Sequence, residues 1–213
     1  MPASSTMREF STERCAAVAL IGAGFLNIVV NSVLTPLLPR SIPFAQIVNS
    51  SVFEWREGLA VACAALLLFG VVGLFLRHSR VSGKGTTIAF AMTFYGTALL
   101  LGVEWSQLFD VRDIARRAPD ALNALNTARG MSLSDLGGLV VLGIFTIGWL
   151  ALAIFLMIKA RAMSRVASAL VVVGILVILL LHPVLPRFLG AIVGNIVLGA
   201  GWAGLGYQLL GKH

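Results

Sequence analysis

Six apolar stretches, each close to the length a helix needs to cross a bilayer, constrain this chain more than any other feature. They are Cys15–Leu34, Leu59–Leu76, Thr86–Val103, Leu136–Ile158, Ala162–Leu181 and Phe188–Leu210. A hydrocarbon core about 30 Å thick asks for roughly 20 such residues. Backbone in lipid must satisfy its own polar groups, so these stretches are read as helices. With 58% hydrophobic and 12% charged residues, the composition excludes an ordinary soluble domain. The sequence therefore predicts an all-α polytopic membrane protein, a six-transmembrane-helix bundle. Its spans fall at about 15–34, 51–77, 86–104, 136–158, 162–181 and 188–210, in one membrane domain over 15–210.

Charge gives this bundle a direction. One face carries Arg8, Arg14, Arg77, Arg80, Lys84, Lys159, Arg161, Arg165 and Lys212 against only Glu9 and Glu13. On the other face Arg40, Arg56, Arg112, Arg116, Arg117, Arg129 and Arg187 are balanced by Glu54, Glu57, Glu104, Asp110, Asp113, Asp120 and Asp135. Lys and Arg in short loops mark the cytoplasmic side, so both termini are expected inside, with 1–14 as a short, disordered or frayed cytoplasmic tail. The net charge of +7 sits in turns beside spans. It points to anionic lipid headgroups as partners, and not to nucleic acid. The first apolar stretch follows Arg8 and Arg14 as a secretory signal would. It is nevertheless long, holds Asn27 and Asn31 and lacks a small-x-small cleavage site, so it is read as a retained span.

The candidate site comes from the hairpin over Ser51–Trp105. Phe53-Glu54-Trp55-Arg56-Glu57 precedes its first apolar run and Val103-Glu104-Trp105 closes its second, which brings both Glu-Trp pairs to the outer face. Simpler readings exist for each part. Ser51 and Glu54 fit a capping box, Glu54 and Glu57 complement a helix N-terminus, and tryptophans gather at membrane interfaces in any case. Glu104 has no such account at the end of a helix, unless the helix continues or Arg56 pairs with it across the hairpin. Asn27 and Asn31, at i and i+4, share one face and either bridge helices or line a cavity.

The remaining polar side chains also lie outward of centre: Tyr95, Thr97, Thr146 and Asn195. Together these residues predict a pocket open to the outer face, with Asn27, Asn31, Trp55, Arg56, Glu57, Tyr95, Thr97, Trp105 and Asn195 binding an amphiphile such as a lipid, quinone or isoprenoid. Glu54 and Glu104 are the candidate acid and base if chemistry occurs there, a question the sequence leaves open. Two other classes compete: an accessory or assembly subunit of a membrane protein complex, and a small-molecule carrier or exporter. The absence of a charged residue near the middle of any span counts against ion-coupled transport. Two cysteines and three histidines without ligand spacing predict no metal and no cofactor.

Between spans the chain is punctuated. Thr35-Pro36-Leu37-Leu38-Pro39-Arg40 and His182-Pro183-Val184-Leu185-Pro186-Arg187 read as parallel proline-rich outer turns, by duplication or by independent turn chemistry. Residues 41–50 are too short to span and are expected along the interface or partway in. The outer loop at 106–134 is expected to hold one or two short amphipathic helices, on Leu108, Val111, Ala115 and Ala118, then Pro119, Leu122 and Leu125, with Gly130 as a stop. They act as a lid or simply lie on the surface. Gly190 with Gly194, and Ala200 with Gly204, have the small-xxx-small spacing of close helix packing, expected here within one chain.

This layout, with Ile158-Lys159-Ala160-Arg161-Ala162-Met163-Ser164-Arg165 as the short basic turn before span five, resembles small bacterial six-span membrane proteins of the domain-of-unknown-function kind. The resemblance implies a six-helix fold, a bacterial inner membrane and a periplasmic 106–134 loop, and carries no activity.

Overall fold

The structure, a computed structural model, describes residues 3–39, 41–78, 83–128, 132–159, 162–181 and 189–211. Every regular element among them is helical. In chain order these are α1 (Ala3–Ile28), a π-helical segment (Val29–Leu34), α2 (Thr35–Leu37), α3 (Phe44–Val48), α4 (Ser51–His78) and α5 (Lys84–Ser106). A second π segment (Gln107–Val111) follows, then α6 (Arg112–Arg117), α7 (Pro119–Thr127), α8 (Leu133–Lys159), α9 (Ala162–Leu181) and α10 (Leu189–Leu210). Five helical runs are long and apolar enough to cross a membrane: Thr12–Leu37, Ser51–His78, Lys84–Arg117, Asp135–Ile158 and Leu189–Leu210. A further apolar run, Arg165–Leu181, is shorter. The protein is a membrane-embedded helical bundle.

The six long helices form a closed ring. Each packs on its neighbour in the order α1, α4, α5, α8, α9, α10, and α10 returns to α1. Glycines set the closest approaches. A methyl group on Gly24 would strike the carbonyl oxygen of Gly199, and one on Gly199 would lie 2.5 Å from the carbonyl oxygen of Gly24, so α1 and α10 touch backbone to backbone. Gly206 meets Ala17 further along the same seam, so the two helices run antiparallel. Gly194 and Gly204 both face α9, which makes that spacing an internal packing device. Lipid offers no hydrophobic drive between helices, so this close van der Waals contact is what holds the ring. Its middle is filled by Leu20, Leu67, Leu74, Trp149, Leu152, Val171 and Trp202.

Several boundaries differ from the sequence reading. Helix α1 already begins at Ala3, so most of 1–14 is helical, although the membrane-spanning run itself begins only at Thr12. Pro36 does not end that helix: it lies two residues after a π segment, sits in the first turn of α2, and needs no N–H there. Leu38, just before Pro39, is the residue that turns extended (φ −64°, ψ 126°). The third span does not stop near residue 104, since the helix runs on through the second π segment to Arg117. Leu108, Val111 and Ala115 therefore belong to its extension and not to a separate helix. The cap of α4 is Ser50, whose Oγ accepts the Phe53 N–H at 3.3 Å, one residue before the expected Ser51. Ser132 and Asp135 form a reciprocal cap at the start of α8, at 2.9 and 3.0 Å.

Helices α3, α6 and α7 pack with the start of α4 into a second small apolar cluster, built on Ala45, Val48, Phe53, Ala115 and Leu122. Asn123 Oδ1 accepts the Ala45 N–H at 2.9 Å and Asn49 donates to the Ala115 carbonyl at 3.3 Å. Leu125, expected in the same stripe as Leu122, is exposed instead. Gly130, the second proline turn at 182–187 and the middles of the two basic turns (79–82 and 160–161) lie outside the described residues.

Candidate functional site

All six long helices line one partly open cavity of about 260 Å³. It occupies the half of the ring nearest Ser51. Each wall presents residues at i, i+3, i+4 or i+7, one face of a helix: Ala60, Cys63, Ala64 and Leu67 from α4, Leu100 and Glu104 from α5, Leu142, Phe145 and Thr146 from α8. Ile175, Ile178 and Leu179 come from α9, Asn195, Leu198 and Trp202 from α10, and Asn27, Val30 and Asn31 from α1 and its π segment. The α4 wall is made of small side chains, and this is where the ring leaves space. Deeper in the ring the space closes on an aromatic cluster. Phe145 lies 6.2 Å from Trp202 and Trp149 lies 5.2 Å from Trp202, centroid to centroid.

The polar wall is an asparagine chain. Asn27 Nδ2 donates to the Asn195 carbonyl at 3.0 Å, Asn31 Nδ2 to Asn27 Oδ1 at 2.9 Å, and Asn195 Nδ2 to the Ala191 carbonyl at 2.8 Å. Because each acceptor is a carbonyl oxygen, the amide orientations follow from the network. Asn31 and Ser32 lie in the π segment, at whose end the Val30 carbonyl accepts both the Thr35 N–H and the Thr35 hydroxyl, the latter at 2.9 Å. Such bulges are frequent at functional sites.

The charged wall sits beside it. Arg56 pairs with Glu57 Oε1, and its Nε donates to Thr35 Oγ1 at 3.3 Å. Its Nη1 is also 3.6 Å from Glu104 Oε2, so the pairing expected across the hairpin is present. Glu57 is only 1% exposed, and its carboxyl group adjoins that of Glu104. Glu57 Oε2 has no fixed donor among the described residues. Two carboxyl groups thus share one guanidinium at the edge of a mostly apolar cavity, in surroundings where charge interactions are strong. Because the helix continues past Glu104, this residue does not face a helix C-terminus at all.

Other sequence candidates fall elsewhere. Glu54, with its side chain 57% exposed, pairs with Arg112 at 2.9 Å and does not line the cavity. The carboxyl partner of Glu104 is therefore Glu57. Tyr95 is 66% exposed on the outside of the ring, because the neighbouring Gly96 is the residue turned against the Phe145 backbone of α8. Thr97 is buried, with its hydroxyl donating to the Thr93 carbonyl at 2.7 Å. Trp55 and Trp105 are exposed on the bundle surface, Trp105 against Phe109 at 4.5 Å.

The apolar lining residues Cys63, Leu100, Phe145, Ile175 and Trp202 were missed by attention to polar residues. The signal available for α4 was the spacing of Arg56, Ala60, Cys63 and Leu67 down one face. Among the described residues no group of three His, Cys, Asp or Glu side chains is placed to hold a metal. Both cysteines are free, Cys15 exposed and Cys63 buried. Comparison with protein-family models, with curated proteins and with solved structures found no match to this chain.

Proposed function

We propose that this protein is a six-span membrane protein, with both termini cytoplasmic, whose ring encloses a binding site for an amphiphilic or lipid-like small molecule opening toward the outer face. In this reading α9 is the sixth span and the membrane is the bacterial inner membrane. Helices α3, α6 and α7 form a cap over the outer mouth. The observation that carries the reading is the cavity itself, to which every long helix contributes a face. Its polar groups include Asn27, Asn31, Asn195 and Glu104 in the outer turns, while on α10 Leu198 and Trp202 lie about one and two turns deeper. A site that is mostly apolar with a few convergent polar groups suits a molecule with a polar head and a greasy body.

The same geometry favours binding over acid–base chemistry on the Glu54 and Glu104 pair, because Glu54 is engaged by Arg112 away from the cavity. The experiment is a titration of a brominated alkyl amphiphile against protein carrying Trp55→Phe and Trp105→Phe, which leaves Trp149 and the cavity-lining Trp202 as reporters. Saturable quenching that disappears when Ala64→Phe fills the cavity supports the reading. Quenching that rises linearly and ignores Ala64→Phe removes it.

A further inference from the structure

We infer that the cavity opens sideways between α8 and α9 into the bilayer, and that its ligand is a membrane lipid with one acyl chain drawn in through that gap. The inference rests on the binding reading above and names the source of its ligand. The cavity's lining residues from α1, α4, α5 and α10 are buried or half-buried. Two lining residues are open: Leu142 of α8 is 51% exposed and Leu179 of α9 is 49% exposed. Neither lies on the back of its helix. Leu142 stands one turn before the buried Phe145 and two before the buried Trp149, and Leu179 one turn after the buried Ile175, so each continues an inward face. Those faces lose their cover at this level of the ring.

The seams on either side of the gap are tight. Gly96 lies against the Phe145 backbone and Gly148 against that of Thr93, joining α5 to α8, while Gly174 and Gly194 join α9 to α10. No glycine makes such a contact between α8 and α9. Gly138 and Gly143, in the outer half of α8, have nothing within 4 Å of an added Cβ. Toward the inner ends of the same two helices Leu152, Leu156, Ala167 and Val171 are buried in one core, so the gap is confined to the cavity's level. What borders it is hydrocarbon. Neither 136–158 nor 166–181 holds a charged residue, and Leu142 lies seven residues past Asp135, about 10 Å along the helix. A cavity of about 260 Å³ is too small for a whole two-chain lipid. One chain passing between Leu142 and Leu179 toward Phe145 and Trp202, with the headgroup left at the interface, fits both the space and its apolar lining.

The test places the full chain, carrying Trp55→Phe and Trp105→Phe, in bilayers of a phosphatidylcholine brominated on one acyl chain. Lipid around the bundle gives a common background, so Ala64→Phe, which fills the cavity, sets the baseline. Below that baseline emission should fall by up to about half, the share of the one remaining reporter of two that lines the cavity. Leu142→Ala with Leu179→Ala widens the gap at half-exposed positions and should deepen the quenching. Leu139→Ala with Leu180→Ala, exposed on the same helices but away from the cavity, should not. These two pairs decide the matter even where Ala64→Phe does not fold. Equal quenching in both pairs overturns the gap between α8 and α9. Quenching no deeper than in Ala64→Phe, while the single-chain amphiphile in detergent still quenches saturably, overturns the bilayer lipid and leaves the binding site standing. Loss of both signals overturns the binding reading as well.

Discussion

Asn27 of α1 donates its side-chain amide to the main-chain carbonyl of Asn195 in α10, at 3.0 Å, tying the first long helix to the last. The bond uses one residue's side chain and the other's backbone, while the Asn195 amide turns back to Ala191 in its own helix. Asn27→Ala should therefore cost about 0.5–1.5 kcal/mol, the usual worth of a hydrogen bond between membrane helices, and Asn195→Ala less than half of that. Thermal unfolding of the three proteins in detergent checks the order. Equal losses would mean that the tie runs through the Asn195 side chain.

The ring is held at the Gly24–Gly199 seam by contact that leaves no room for a methyl group. Gly24→Ala should push α1 and α10 apart and destabilise by about 1–3 kcal/mol. Gly102 has nothing within 4 Å of an added Cβ, so Gly102→Ala should be neutral or stabilising, by up to about 1 kcal/mol from helix propensity. Unfolding midpoints of the two variants, measured side by side, decide whether backbone contact or mere glycine content holds the bundle.

Arg56 stands between two carboxyl groups, one of them almost wholly buried. Removing one partner of a buried charge group leaves the rest uncompensated, at about 3–5 kcal/mol. Arg56→Gln should accordingly lower the melting temperature and the yield of inserted protein, and adding Glu57→Gln in the same chain should restore much of both. Failure of the second change to help would show that Arg56 matters through packing and not through charge.

Glu54 and Glu104 read alike in the sequence but differ in the structure. Glu54 is mostly exposed and bound to Arg112, so Glu54→Gln should leave amphiphile affinity within about twofold, as for a solvent-screened pair. Glu104 lines the cavity, and Glu104→Gln should change the affinity for a charged amphiphile by about fivefold or more. The quenching titration measures both.

The long helices were legible because lipid demands long apolar runs, and each run, over its described residues, lies within an observed helical stretch, although α1, α4 and the third run's helix extend well past the apolar residues. Which side of each helix faces inward was not, since a helix with lipid on one side and a packed interior on the other is apolar all round. Tyr95 and Thr97 show the consequence. Both looked like polar groups for a pocket, yet Tyr95 is exposed and Thr97 is buried with its hydroxyl bonded to the Thr93 carbonyl of its own helix. The better guide on α5 was Gly96 between them, because small residues mark where helices touch.

The asparagines were easier to place, since amides in hydrocarbon need partners, and Asn27, Asn31 and Asn195 do meet. The acidic cluster was half readable. Glu54 and Glu57 lie three residues apart, on adjoining parts of one face, and what separates their fates is Arg112. That arginine reaches Glu54 because α5 continues through a π segment, and nothing in the apolar pattern announces such a segment.

Native mass spectrometry of the gently extracted protein tests the central claim most directly. An occupied amphiphile cavity predicts the polypeptide mass plus one small, lipid-like adduct that survives mild activation and is lost from the Ala64→Phe variant. The bare polypeptide alone, or a retained second protein subunit with no small adduct, would contradict the account.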